Sequence, residues 1–421
     1  MRRFLIVLWI VASAVPGSAI GQGLRGLAPP AAVPDTCAML ALLPGAAAYG
    51  PPPAIRAGTR VVHFGMAASV PAVAQELVPD EGGDWVDPAT GQRWGAQDMP
   101  GASGAGFTVV RVGYVDARVA QLTVHLYTWD PATSLAMHAA SWGLVTHAGC
   151  AADFWVHPDA LRTLAEQDQG GVRVVRMPYR VGERTFDAVR IQTTTGSGLT
   201  AYVYDLASGL MVFHNGRAEG APVLTPPVGG QAGIGEGSTQ YTTTWFVEVA
   251  DVDVPWRDQP TPQWVARVGT LDLQGTMTST TMDGFVTPLA LQQRVTIDAR
   301  GPDWVHARVA TVVQTLPGMP PSQSASTASS GPASIGGLWV APQALGALQV
   351  GQVIERNPWL TTTTRVGAIS GDRVTITESG PLHQLDYVYD RATGLLVAVT
   401  ETQQVGTTRM VYDLRLVAAP W

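Results

Sequence analysis

The sequence predicts a mainly β protein built as two tandem homologous antiparallel β domains, each an open barrel or a sandwich with one short helix. Three observations lead there. A long stretch is written twice: Trp155-Val156-His157-Pro158-Asp159-Ala160-Leu161 reappears as Trp339-Val340-Ala341-Pro342-Gln343-Ala344-Leu345. Val115 to Ala120 returns as Val305 to Ala310, Arg176-Met177-Pro178-Tyr179 as Arg356-Asn357-Pro358-Trp359, and Tyr202-Val203-Tyr204-Asp205 as Tyr387-Val388-Tyr389-Asp390. Pro255-Trp256 and Pro420-Trp421 close the copies, and over most of the range the offset stays between about 180 and 190 residues, which marks an internal repeat. The second observation is period-two alternation of β-branched and polar residues, as in Thr108 to Val112, Ala120 to Leu126 and Val374 to Thr377. Such alternation means one buried and one wet face. The third is a turn signature, Asp-x-x-x-Gly, at Asp87, Asp205 and Asp390, with an imperfect version at Asp130. Its Asp accepts bonds from nearby amides and its Gly takes the left-handed conformation, so these acids belong to turns rather than to chemistry.

Taken in order, residues 1–19 read as a signal peptide. Arg2 and Arg3 precede an apolar run from Phe4 to Val15, and Gly17-Ser18-Ala19 offers a cleavage site. Residues 20–57 form a Pro/Ala-rich segment, extended apart from an apolar turn around Cys37. The first β repeat spans 58–256, a linker 257–264, and the second repeat 265–421. Pro158 to Glu166 and Pro342 to Leu348 read as short helices with Pro in the first turn, and Pro71 to Val78 as a third. Glu219 to Ser238 and Pro317 to Gly337 read as long loops. The two cysteines, Cys37 and Cys150, invite a disulfide in an oxidising compartment, which would place the mature protein outside the cytoplasm with no transmembrane span after signal cleavage.

Composition excludes several functions. The net charge of −7 argues against a nucleic-acid partner. All 26 basic residues are Arg, which removes phosphate loops with an essential Lys, Schiff-base chemistry and Ser-Lys nucleophiles. No Gly-x-Ser-x-Gly, dinucleotide fingerprint or His-Glu-x-x-His occurs, and no cofactor is implied.

Residues shared by both copies belong to the scaffold, so residues peculiar to one copy are the better candidates for function. Six of eight His lie in the first copy, and Trp85, Trp94, Trp129 and Trp142 lack counterparts in the second. Trp129, His138, Trp142 and His147 are the densest group; Trp85 and Trp94 flank a turn where rings could stack on sugars. Spacings of nine and ten residues between the histidines follow no metal-site pattern, so no metal is expected. The counterpart of the dense group, Leu316 to Gly337, is almost entirely Ser, Ala, Pro and Gly and reads as a flexible span whose removal at Ser322–Ser330 should be neutral.

The hairpins Tyr204-Asp205-Leu206-Ala207-Ser208-Gly209-Leu210 and Tyr389-Asp390-Arg391-Ala392-Thr393-Gly394-Leu395 resemble an element of exported half-barrel lipid carriers of the LolA and LppX type. The resemblance covers about eight residues per copy. It implies a curved open sheet with room for acyl chains and carries over no site residues. The expected function is an exported, non-enzymatic binding or envelope protein of unknown ligand, an apolar ligand or lipid among them. An exported hydrolase with a site in the first repeat and a polysaccharide-binding surface protein are the alternatives.

Overall fold

Period-two alternation becomes paired strand almost wherever it occurs. The structure, a computed structural model, describes residues 37–71, 77–99, 102–130, 133–196, 198–219, 238–314 and 320–418. Residues 1–19, expected as a signal peptide, residues 72–76 of the third expected helix, loop residues 220–237 and Pro420-Trp421 lie outside them. The first domain contributes β1 (Thr59–Pro71), β2 (Ala102–Val115), β3 (Val119–Asp130), β4 (Leu135–His147), β5 (Gln167–Gln169), β6 (Val172–Val181), β7 (Arg184–Thr195), β8 (Gly198–Asp205), β9 (Met211–Glu219) and β10 (Ser238–Asp251). The second contributes β11 (Thr270–Thr280), β12 (Val286–Arg300), β13 (Val305–Val313), β14 (Ser322–Ser330), β15 (Val353–Asn357), β16 (Thr362–Ser370), β17 (Arg373–Ser379), β18 (His383–Asp390), β19 (Leu396–Val405) and β20 (Thr408–Ala418).

Both domains use one strand order. The first sheet runs β5-β6-β7-β8-β9-β10-β1-β2-β3-β4 and adds two short pieces, Cys150–Ala151 and Trp155–Val156. The second runs β15-β16-β17-β18-β19-β20-β11-β12-β13-β14. In each, the last strand pairs with the first, and the sheet stays open between its fourth and fifth strands. Among the described residues the α-helices are α1 (Pro158–Arg162) and α2 (Pro342–Ala347), each with Pro in its first turn.

The repeated sequence words sit at one structural junction. Val156 N donates to Gly209 O at 2.9 Å, and Val340 N to Gly394 O at 2.9 Å. The two glycines have φ of +75° and +74°. A Cβ there would lie 2.1 Å from Val156 O and 2.0 Å from Val340 O, so both conformation and space require Gly. The turn acids work as expected: Asp205 Oδ2 accepts from Ser208 N at 2.8 Å and Asp390 Oδ1 from Thr393 N at 2.8 Å.

Each helix closes its own core. Cys37 is bonded to Cys150, and Met39, Leu40, Leu43 and Ala46 pack with Ala160 and Leu161 of α1 against Val189, Ile191 and Tyr204. In the second domain Val252, Val254 and Trp256 pack with Ala344 and Leu345 of α2 against Val374, Ile376 and Tyr389. Trp256, written at the end of the first copy, thus serves the second core.

One expectation is corrected. Ser322–Ser330 is no flexible span; it is β14, paired with β13 along its whole length. Ser and Ala have weak strand preference, but the backbone ladder and their small size decide here. They let β14 pack closely across β4: Thr327 Oγ1 donates to Gly143 O at 2.6 Å, and a Cβ on Gly143 would lie 2.1 Å from Ser329 N. Among the described residues, no helix is long and apolar enough to cross a membrane.

Candidate functional site

Where the two sheets meet, a row of charged side chains is buried. On the first sheet, Arg60 pairs in register with Arg111, Val62 with Val109, and Phe64 with Phe107. Val109 is opposite His125 and Phe107 opposite Tyr127, which is in turn opposite His138. Alternation therefore places Arg60, Arg111, His125, Tyr127 and His138 on one face with apolar neighbours. On the second sheet, Glu378 follows Val374 and Ile376 on the same face of β17. His383 shares a face of β18 with Leu385 and Tyr387, and Glu401 and Gln403 share one of β19.

The two rows interlock. Arg60 Nη1 donates to Glu355 Oε1 at 2.7 Å and its Nη2 to Glu248 Oε1 at 2.8 Å. Arg111 Nη2 lies 2.9 Å from both Glu355 Oε2 and Glu378 Oε2. Tyr127 donates to Glu378 Oε1 at 2.6 Å, and His138 Nδ1 meets Glu401 Oε1 at 2.7 Å. Gln403 Nε2 donates to Glu401 Oε1 at 2.6 Å and to His138 O at 3.1 Å. Arg111, His125, Tyr127, His138, Glu355, Glu378, His383 and Gln403 are all more than nine-tenths buried. With His138 protonated, Arg60, Arg111 and His138 balance Glu355, Glu378 and Glu401, and the partly exposed Glu248 adds a fourth acid beside Arg60. The balance matters because an unpaired buried ion costs several kcal/mol, roughly 3–5 when one partner is removed.

Burial and neighbours push the groups apart in proton affinity. His125 falls well below its ordinary value, through burial first and then the Arg111 charge. Arg111 Nη1 lies 3.2 Å from His125 Nε2, so that nitrogen is the acceptor and the neutral ring carries its proton on Nδ1. Against the opposing pull of burial, the Glu401 carboxylate holds His138 above its ordinary value. Burial opposes ionisation of Glu378, yet the Arg111 charge, the nearby His383 and the bond from Tyr127 hold it well below the usual carboxylate range. Burial and the Glu378 charge push the Tyr127 phenol well up.

The cluster leaves polar atoms over. His125 Nδ1, His138 Nε2 and His383 Nδ1 have no hydrogen-bond partner, and His383 Nε2 is 3.5 Å from Glu378, too far for a good bond. The His125 and His138 rings are 5.9 Å apart, those of His138 and His383 6.2 Å. The orphan atoms include two defined donors, Nδ1–H of neutral His125 and Nε2–H of protonated His138. Among the described residues no three His, Cys, Asp or Glu converge on a metal position.

The residues singled out from sequence do not form one site. His138 joins the seam. Trp142 is opposite Val124, so it points to the other face of β4 and packs with Leu122 and Val124, while His147 is exposed at the strand's end. Trp129 stands edge-on to Phe64, 5.6 Å away. Trp85 is 1% exposed, donating from Nε1 to Thr243 Oγ1 at 3.1 Å, and Trp94 is its register partner in a three-stranded sheet between β1 and β2. The acids Glu355, Glu378 and Glu401 went unrecognised because they belong to the second copy. Their signal is an acid in an apolar register, as in Val374-x-Ile376-x-Glu378.

No protein-family profile matches the chain, and no curated protein resembles it. Among solved structures, one from Nostoc punctiforme, of unknown function and belonging to the DUF3598 family, aligns over 85% of this chain and 95% of its own at 9% identity, with a TM-score of 0.15. A Nitrosomonas europaea protein provisionally designated AttH aligns over 87% and 94% at 10% identity, with a TM-score of 0.13. Likeness at that level carries no argument about fold or function.

Proposed function

We propose that this is an exported, non-enzymatic binding protein whose ligand is received at the seam between the two sheets. The supporting observation is the pair of buried orphan donors on His125 and His138, beside His383 and the Tyr127–Glu378 bond. Buried polar groups are almost always paired, so orphans gathered in one place mark a missing partner. Two unpartnered donors on rings 5.9 Å apart suit an oxygen acceptor: a carbonyl, hydroxyl or carboxylate on a small ligand. The cluster is closed by side chains from both domains, so admission requires the sheets to shift at the seam. Residence outside the cytoplasm fits the Cys37–Cys150 bridge.

Native mass spectrometry of the full chain purified from its host tests this reading. A retained small ligand that is lost from a His138→Gln, His383→Gln variant of unchanged near-ultraviolet dichroism supports it. A retained lipid or sugar indifferent to those substitutions moves the site elsewhere. A second reading has its own observation: His138, held above its ordinary value by Glu401 and with Nε2 unpartnered, has the character of a general acid. Turnover of the identified ligand, abolished by His138→Gln, would separate catalysis from binding.

A further inference from the structure

Away from the seam, β6 and β7 carry a second set of polar groups. The connection from β1 to β2 lies across this face, and sheet side chains hold its backbone. Arg217 donates to Leu77 O at 3.0 Å, Arg190 to Pro79 O at 3.2 Å, Tyr179 to Gly82 O at 3.3 Å and Asn215 to Gly83 O at 3.0 Å. Beside the connection is a shallow depression lined by Glu81, Arg173, Val175, Met177, Arg190 and Gln192. Val175 is the register partner of Arg190 and Arg173 that of Gln192, so the four share one face in two adjacent rows.

Arg190 is the unusual member. It is 6% exposed, yet its guanidinium donates only from Nη2, to the neutral oxygens Pro79 O and Gln192 Oε1, both at 3.2 Å. It makes no ion pair among the described residues, and its other N–H groups have no protein partner there. A buried guanidinium ordinarily needs a counter-charge. The acids that reach this place arrive loosely at Arg173. Glu81 Oε1 is 3.2 Å from Arg173 Nη2 with its side chain 62% exposed, and Asp168 Oδ2 is 3.8 Å from Arg173 Nε and 81% exposed. Exposed pairs of this kind hold weakly and exchange readily.

We propose that Arg173, Arg190 and Gln192 form a carboxylate-binding site for an organic acid with an apolar chain, which displaces Glu81 and lies along Val175 and Met177. A planar guanidinium shielded from most of the solvent and pinned through Nη2 presents its remaining N–H groups in the fixed fork that carboxylates match. The two apolar side chains supply a floor for a hydrocarbon tail. The site is independent of the seam and stands or falls apart from it.

Octanoate is the probe, with octanol as the uncharged control, each titrated calorimetrically into the full chain. Octanoate should bind, and octanol about tenfold more weakly or worse. Glu81→Gln, which removes the competing carboxylate, should tighten octanoate about two- to fivefold. Arg173→Gln should weaken it about tenfold, and Arg190→Gln more. Arg173 is half-exposed, so its variant reports on the site even where the Arg190 variant fails to fold. No octanoate heat, equal affinity for octanol, or affinity unchanged in Arg173→Gln overturns the proposal, as does weaker binding by Glu81→Gln.

Discussion

At the scale of single residues, the seam is an arrangement of charges that tolerate burial only together. Glu378 receives Tyr127, Arg111 and the nearby His383, so each partner can be removed and its loss measured. Tyr127→Phe leaves a buried carboxylate one bond short and should lower unfolding free energy in urea by about 1–3 kcal/mol. Glu378→Gln leaves Arg111 with half its counter-charge and should cost about 3–5 kcal/mol. If Tyr127→Phe proves as stable as the parent, the phenol–carboxylate bond is not made. A second consequence concerns acid. Burial lowers His63 to about 4 and His214 to about 3. The unfolded chain takes up protons on both as pH falls below about 6.5, while the folded chain does not. Their contribution to stability is therefore present above pH 6.5 and is lost on the way down, at about 1.4 kcal/mol per pH unit for each ring. His63→Gln should flatten the fall in melting temperature between pH 6.5 and 4; an unchanged slope would place that ring in solvent.

At the scale of elements, the repeat explains what was legible and what was not. The two Pro-started helices, the Asp-to-Gly turns and the strand alternation are local signals, and each sits where expected. The Cys37–Cys150 pairing was also legible, because only two cysteines exist. Reduction should lower the stability of the first domain by about 4–5 kcal/mol, since the bridge closes 113 residues of chain, and leave the second nearly unaffected. Domain-resolved hydrogen exchange with and without reductant measures this; equal loosening of both domains would show that the bridge supports the whole. What misled was β14. Ser-Gln-Ser-Ala-Ser-Thr-Ala-Ser-Ser carries no strand propensity, and its order comes from β13 beside it and Gly143 beneath it. Gly143→Val should drive β4 and β14 apart and destabilise the chain by about 2–3 kcal/mol, in the range of overpacked cores. A neutral outcome would mean that the sheets do not touch there.

At the scale of the whole molecule, the two domains act as one unit whose centre belongs to neither. Composition suggested otherwise: the excess of His and Trp pointed to the first copy alone. The first copy supplies Arg60, Arg111, His125, Tyr127 and His138 to the seam. The counter-charges come from Glu355, Glu378 and Glu401 of the second copy, 263 to 295 residues away along the chain. No local pattern links residues so distant. The repeat identifies which strands correspond, but not which faces of the two sheets will meet.

The central claim is that the sheets enclose a seam in which one imidazole is kept charged and its neighbour neutral. Imidazole nitrogen shifts, followed by NMR against pH in the full chain with site-assigned histidines, test it most directly. His138 should keep its proton above its ordinary value of 6.5, and His125 should stay neutral, protonated on Nδ1, well below 6.5. Glu401→Gln should return His138 toward lower values, while burial and Arg111 still keep His125 low. If His125 and His138 instead titrate together near 6.5, both rings face water and the two sheets do not close a common site.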